Sequence, residues 1–380
     1  MRQTAEDNYF LGIMKISLAS AIEGIFIAVL LPVVQSCNND AERHRIKTIK
    51  VDVTQSEPIE IDTLRIIHLE SNDSSLLYNI EGLESRHNRF YVLSTDMLKV
   101  FDCNSGNYIE DISGKGQGPG EFSGLSQMWI DGDTVYLYDS RGNKLILRSI
   151  ENELLDEYHP FDNSDAIAGV STIVTNQRNG NHYVINKFTD GTTSTNPVFS
   201  LYSSDWKYIR DINGREFQSG EFMKDRALYD SIDDIVLYWE ALKDTVFEVT
   251  ETEIYPLYSL DFGDDAVSSD ISSQKSMFAR ITKFYADKEN GGVSLARCYQ
   301  RYGDYLIFSA SSSNDRRFIC LYNVKTGKTQ VYEFKSKHSV YKPSTFIKVI
   351  GDNLMIAFVD TSNIESNPCI YVQPLVELIE

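Results

Sequence analysis

One pattern constrains this chain more than any other: a tight turn followed by a short, strongly apolar strand, six times over. It occurs as His87-Asn88 before RFYVLS, Asp131-Gly132-Asp133 before TVYLYD, and Asn179-Gly180-Asn181 before HYVINKF. It returns as Asp233-Asp234 before IVLYWEA, Gly303-Asp304 before YLIFSAS, and Gly351-Asp352-Asn353 before LMIAFVD. Gly, Asn and Asp tolerate the positive φ that such hairpin turns require. The clearest copy spans residues 126–158, where SQMWID, TVYLYD, KLILRSI and LLDEYHPF alternate with turns and read as a four-stranded antiparallel meander. Four-stranded units repeating at roughly 45–50 residues are the signature of a β-propeller.

Closure strengthens that reading. An open sheet edge invites pairing with other chains, so a propeller must seal its ring. After residue 344 the sequence offers three strands rather than four, while IDTLRIIHLE, residues 61–70, stands alone before the first unit. That segment supplies the missing strand. The fold expected is all-β, a six-bladed β-propeller over residues 60–375 closed by an N-terminal strand. One interruption, DISSQKSMFARITKFYADKE at 270–289, places Met277, Ile281, Phe284 and Tyr285 on one helical face. It is expected to be a single inserted helix, capped by Ser272 or Ser273, ended by Gly291-Gly292 and packed on the ring.

The 380 residues include 22 Tyr and 19 Phe, which favours strand and supplies a large core. The net charge is −19 and Lys and Arg form no stripe, which argues against nucleic acid as a partner. Of five cysteines, Cys103, Cys298, Cys320 and Cys369 lie in apolar, strand-like contexts without the paired spacing of a zinc site. Buried thiols are the plain reading, with a Cys298–Cys320 disulfide open in an oxidising compartment.

The front of the chain reads as an address. GIFIAVLLPVV, residues 24–34, is too short to span a bilayer and suits a signal-peptide core. Ser36-Cys37 follows it and resembles a bacterial lipobox, whose cysteine is acylated and becomes the mature N-terminus. Residues 1–36 are thus expected to be a signal peptide, with 1–13 upstream of a start at Met14. Residues 37–59 are expected to be a lipidated tether to the cell envelope. The competing reading is an ordinary secretory signal in which Cys37 is incidental.

The stretch YIEDISGKGQGPGEF, residues 108–122, is echoed by YIRDINGREFQSGEF at 208–222. Gly114, Gly116, Gly118 and Gly120 alternate, whereas a dinucleotide fingerprint needs G-x-G-x-x-G opening a helix, and a Walker loop needs Gly-Lys-Ser/Thr. Both are absent. The stretch therefore reads as a crossover between blades, with Glu121 and Phe122 as anchors. Crossovers also line the mouth of a propeller channel, so Lys115, Gln117, Arg141 and Arg215 are the candidate ligand contacts. His44, His68, His87, His159, His182 and His338 show no metal-site spacing, and no G-x-S-x-G elbow exists. No carboxylate pair stands out as acid and base, and Trp129, Trp206 and Trp239 read as core packing.

GKGQGPGEF and KDTVFEVTETEIYPLYSLDFG resemble the six-bladed, NHL-like β-propeller lipoproteins of Gram-negative bacteria. The resemblance implies the fold and a membrane-anchored location outside the cytoplasm, outer membrane foremost. It implies no reaction, no catalytic residue, no metal and no cofactor. Two functions are therefore expected to compete: a binding or scaffold module for a glycan, peptide or protein at the channel mouth, and a hydrolase or lyase acting on polysaccharide.

Overall fold

The structure is a computed structural model that describes residues 46–160, 170–186, 197–216, 227–240, 242–274, 277–335, 341–360 and 366–379. The chain divides into Met1–Lys47 and Thr48–Glu380, and the second unit holds the fold. Residues 1–36, expected to be a signal peptide, and Cys37 lie outside the described residues.

Six separate sheets form the unit, and together they make a six-bladed β-propeller. Blade two shows the plan: Leu125–Asp131, Thr134–Asp139, Lys144–Ser149 and Leu154–Tyr158 pair in sequence order, antiparallel throughout. Blade one runs Gly82–Arg86, Arg89–Ser94, Met97–Asp102 and Tyr108–Asp111. Blade three runs Val170–Thr175, His182–Asn186, Pro197–Tyr202 and Tyr208–Glu216, and blade four Ala227–Asp230, Ile235–Trp239, Thr245–Val249 and Ile254–Asp261. Blade five runs Val293–Tyr302, Tyr305–Ser312, Arg317–Asn323 and Thr329–Lys335. Blade six runs Tyr341–Ile350, Asn353–Asp360 and Cys369–Pro374, and takes Arg65–His68 as its outer strand.

Middle strands read as unbroken apolar runs because both of their faces are covered. Phe318 to Tyr322 is buried at every position. The turns between first and second strands carry a left-handed residue: Asn88, Gly132 and Asp234 have φ of 61°, 57° and 56°. That is why Gly, Asn and Asp interchange there. A buried apolar cluster fills the space between each adjacent pair of blades, all the way round. The ring closes where the sequence places the seam: Ile66 lies opposite Tyr371 and Ile67 opposite Ile370.

Two expectations need correction, and one alternative left open is closed. The tether does not extend to residue 59. Lys47–Lys50 lies on the outer strand of blade four, and Glu57–Glu60 runs parallel to the outer strand of blade five, Ile59 opposite Phe334. Ile49, Val51, Val53, Ile59 and Ile61 are buried there, a period-two pattern that intervening charges disguise. The insertion is two helices, Ser269–Ser272 and Met277–Ala286, rather than one. Ser273 ends the first of them. Ile271, Ile281 and Phe284 pack with Leu242 and Val267, whereas Tyr285 is 44% exposed and points away. Finally, Cys320 is a free, fully buried thiol. Cys298 and Cys320 both pair with Phe308, on opposite sides of one strand. Two strand spacings, about 9.5 Å, exceed what a disulfide spans.

Candidate functional site: the central channel

The first strand of every blade faces the ring axis, and the six enclose a channel of about 560 Å³. Its lining mixes apolar side chains with charged ones, and its three cations, Arg297, Arg301 and Lys348, are engaged. Lys348 of blade six forms an ion pair with Glu84 of blade one. Arg301 of blade five reaches Asp233 of blade four, Nη1 to Oδ2 3.2 Å. The Arg297 guanidinium stands 5.7 Å from the centre of the Phe346 ring. Asp230 accepts the backbone N–H of Ile232 at 2.9 Å. Burial pushes its carboxyl up from the ordinary range, against the pull of its backbone hydrogen bonds and of Arg301. Tyr229 donates to Asp234 at 2.9 Å.

Three polar atoms of the channel-lining residues have no hydrogen-bond partner: Ser126 Oγ, Trp239 Nε1 and Arg301 Nε. Ser126 opens blade two's first strand and Trp239 ends blade four's second strand, where it lies just beyond the Ala227–Tyr238 pair. Both therefore sit at the crossover end of the channel. Arg301 is the penultimate residue of blade five's first strand, at the hairpin end.

The crossover between blades one and two brings two of the sequence candidates together outside this lining. Lys115 Nζ lies 3.1 Å from Asp96 Oδ2, and Arg141 Nη1 lies 3.7 Å from the same oxygen. Gln117 is exposed. Arg215 falls near the end of Tyr208–Glu216, its side chain outside the described residues. Lys115, Gln117 and Arg141 do not line the channel. The glycine loop does not present its amides to a ligand. Gly116 N–H donates to Phe122 O at 2.9 Å, Gly118 N–H to Glu121 Oε2 at 2.8 Å, and Gly120 N–H to Glu157 Oε2 at 2.8 Å. A Cβ on Gly116 would meet Glu121 Oε2 at 1.9 Å, so glycine leaves room for the carboxylate to fold back onto the loop. Buried Asp139 then takes the N–H groups of Ser123, Gly124, Arg141 and Gly142, at 2.7 to 3.1 Å, which fixes the loop against the neighbouring turn.

Among the described residues, no group of three His, Cys, Asp or Glu is disposed to hold a metal ion. Trp206 and Trp239 are buried, and Trp129 stacks on Tyr136 with ring centres 4.9 Å apart. His182 stacks on Trp206 at 3.6 Å, and burial lowers its imidazole to about 4, so it is neutral at pH 7. The channel residues Glu84, Arg297, Arg301 and Lys348 were not singled out by sequence. The available signal was their position: charges in the first strand of a unit whose second strand is strongly apolar.

Residues 47–371 match the model of a family described only as a domain of unknown function, DUF4934. No curated protein matches the chain. A Bacteroides fragilis protein described as exported shares the fold, with 19% identity over 87% of this chain and 99% of that one, and a TM-score of 0.64. A DUF4221-family member from Bacteroides vulgatus follows at 11% identity over 81% and 96%, TM-score 0.54. An auxiliary nutrient binding protein from Bacteroides ovatus is also similar, at 11% identity over 84% and 75%, TM-score 0.48. At these identities the likeness is one of fold.

Proposed function

From the premise that the chain belongs to the DUF4934 family, whose description prescribes no reaction, we propose that it is an exported β-propeller acting as a binding or scaffold module. Its ligand is a glycan, a peptide or a partner protein met at the channel. Its anchor is the acylated Cys37, which holds the ring to the cell envelope, outer membrane foremost.

The observation that carries this reading is the character of the channel. At about 560 Å³ it has the size of a small-molecule site. Its cations are already held by Asp233, Glu84 and the Phe346 ring, which suits recognition more than proton transfer. Lys115 and Arg141, clamped on Asp96, form a second polar surface at the crossover mouth where a larger partner could rest.

A polysaccharide hydrolase or lyase is the second reading. It rests on Asp230, whose raised carboxyl is the property of a general acid. The same carboxyl caps the turn at Ile232, however, which is a structural task.

The test is a binding screen of glycans and peptides on the folded chain, run with an assay for released reducing sugar. Binding without turnover is the expected result. Turnover that Asp230→Asn abolishes transfers the conclusion to the enzyme.

A further inference from the structure

The outer edges of the blades are not finished alike. Blade four is covered by Lys47–Lys50, KTIK, and blade five by Glu57–Glu60, EPIE. Each cap is four residues long and buries one side chain, Ile49 or Ile59. Their charges answer the strands beneath. Glu60 lies opposite Lys335. Lys50 precedes Val51, whose N–H donates to the carbonyl of Asp261 at 2.9 Å, at the acidic end of blade four's outer strand. Among the described residues, no strand pairs with the outer side of Leu154–Tyr158 in blade two.

Register shows what that edge lacks. The outer strands of blades two and four carry the same one-residue bulge, which leaves Leu155 and Leu257 without an opposite residue on the third strand. The two leucines are therefore counterparts. Leu257 packs against the cluster that contains Ile49 of the cap. Leu155 has no such cover and is 53% exposed. A bulge often blunts an edge, yet blade four has both bulge and cap, so the bulge does not bar an added strand. Leu154 and Tyr158 are exposed beside Leu155. The Glu157 N–H turns to the neighbouring Asp156 Oδ1 at 2.8 Å.

Charge selects the occupant. Glu151, Glu153 and Asp156 are exposed along this edge, and the whole chain carries −19. Two copies paired through it would set like charges opposite one another, which is unfavourable. An extended segment with lysines flanking an aliphatic residue, as in KTIK, meets both the apolar and the acidic character of the strand.

We propose that the outer edge of blade two is a docking site for an extended, basic segment of another protein, which adds as a fifth strand beside Leu155 as Lys47–Lys50 does beside Leu257. This site lies at the rim of the ring and is independent of the channel.

The test is an anisotropy titration of fluorescently labelled peptides with the full chain. The peptides are KTIKTIK, its acidic analogue ETIETIE, and KTIKTIK with both isoleucines N-methylated, which removes backbone donors that strand pairing uses. The variants are Leu155→Lys and Asp156→Lys at the edge, and Phe278→Ser, an exposed position on the inserted helix. Circular dichroism confirms that each is folded. The expected result is that KTIKTIK binds at least tenfold more tightly than either control peptide. Leu155→Lys and Asp156→Lys each weaken it several-fold, and Phe278→Ser leaves it unchanged. Absence of binding overturns the proposal. Equal binding of the N-methylated peptide also overturns it, since that is charge attraction without an added strand. So does binding that both edge variants leave unchanged, or a dimer, seen by sedimentation, that Leu155→Lys dissolves, because a second copy then holds the edge.

Discussion

The carboxamide of Gln127 grips the backbone of Ile173 from both sides: Nε2 donates to the carbonyl at 2.6 Å, and Oε1 accepts the N–H at 2.8 Å. One side chain thus makes the two hydrogen bonds of a β-bridge between the first strands of blades two and three. Gln127→Ala should leave both backbone groups of buried Ile173 without a protein partner. Leaving such groups unpaired costs about 2 kcal/mol. Chemical denaturation should show that loss, and Gln127→Leu should not recover it.

Gly106 has φ +74° and sits against the closing strand, where an added Cβ would lie 2.0 Å from the His68 carbonyl oxygen. Backbone strain and collision act together, so Gly106→Ala should cost more than about 2 kcal/mol. Limited proteolysis should find the Arg65–His68 strand released first.

Glu333 binds Arg316 with both oxygens, at 3.0 and 2.9 Å, and Lys335 at 2.7 Å. Burial raises its carboxyl, but these cations outweigh it and hold the group below its ordinary value. A carboxyl lowered in the folded state stabilises above its unfolded value, and that stability is lost as pH falls through the folded one. The melting temperature should therefore drop on acidification. Glu333→Gln should cost about 2 kcal/mol at pH 7 and much less near pH 3.

Asp230 behaves with the opposite sign. Its folded-state carboxyl is raised by burial, so its contribution declines as pH rises from the unfolded value through the folded one. Asp230→Asn keeps an acceptor for Ile232 N–H and should raise the melting temperature at pH 7. The gain should vanish in acid, as a melting series from pH 3 to 8 would record.

Lys115 and Arg141 are exposed despite their shared carboxylate. Exposed ion pairs contribute little, so the double substitution to Ala should change stability by less than about 1 kcal/mol. Any loss of ligand binding in that variant then reports on the crossover mouth alone.

The ring was legible because its signals are local. RFYVLS and YLIFSAS are apolar enough to mark buried strands, and Asn88 and Gly132 mark the turns before them. The partner of Ile66 could be inferred by counting strands. The segment containing Ile49, Val51 and Ile59 was not legible, because Lys50, Asp52 and Glu57 give it the composition of a linker while its alternation spans only a few residues. Channel residues such as Arg301 and Lys348 escaped for a related reason. A charge in a strand reads as a solvent-facing edge until closure turns that face inward. The glycines of residues 114–120 drew attention to a loop whose amides serve the loop itself.

His68 and Cys369, neighbours in the finished molecule, are 301 residues apart in the chain. Joining segments so distant costs about 5 kcal/mol in chain entropy before any contact is gained. The Arg65–His68 strand must therefore wait, unpaired, until Cys369–Pro374, its partner in blade six, has emerged. Closure comes last and is all-or-none: a chain truncated within its sixth blade is left with a gap in the circle, open to proteases and to the strands of its neighbours.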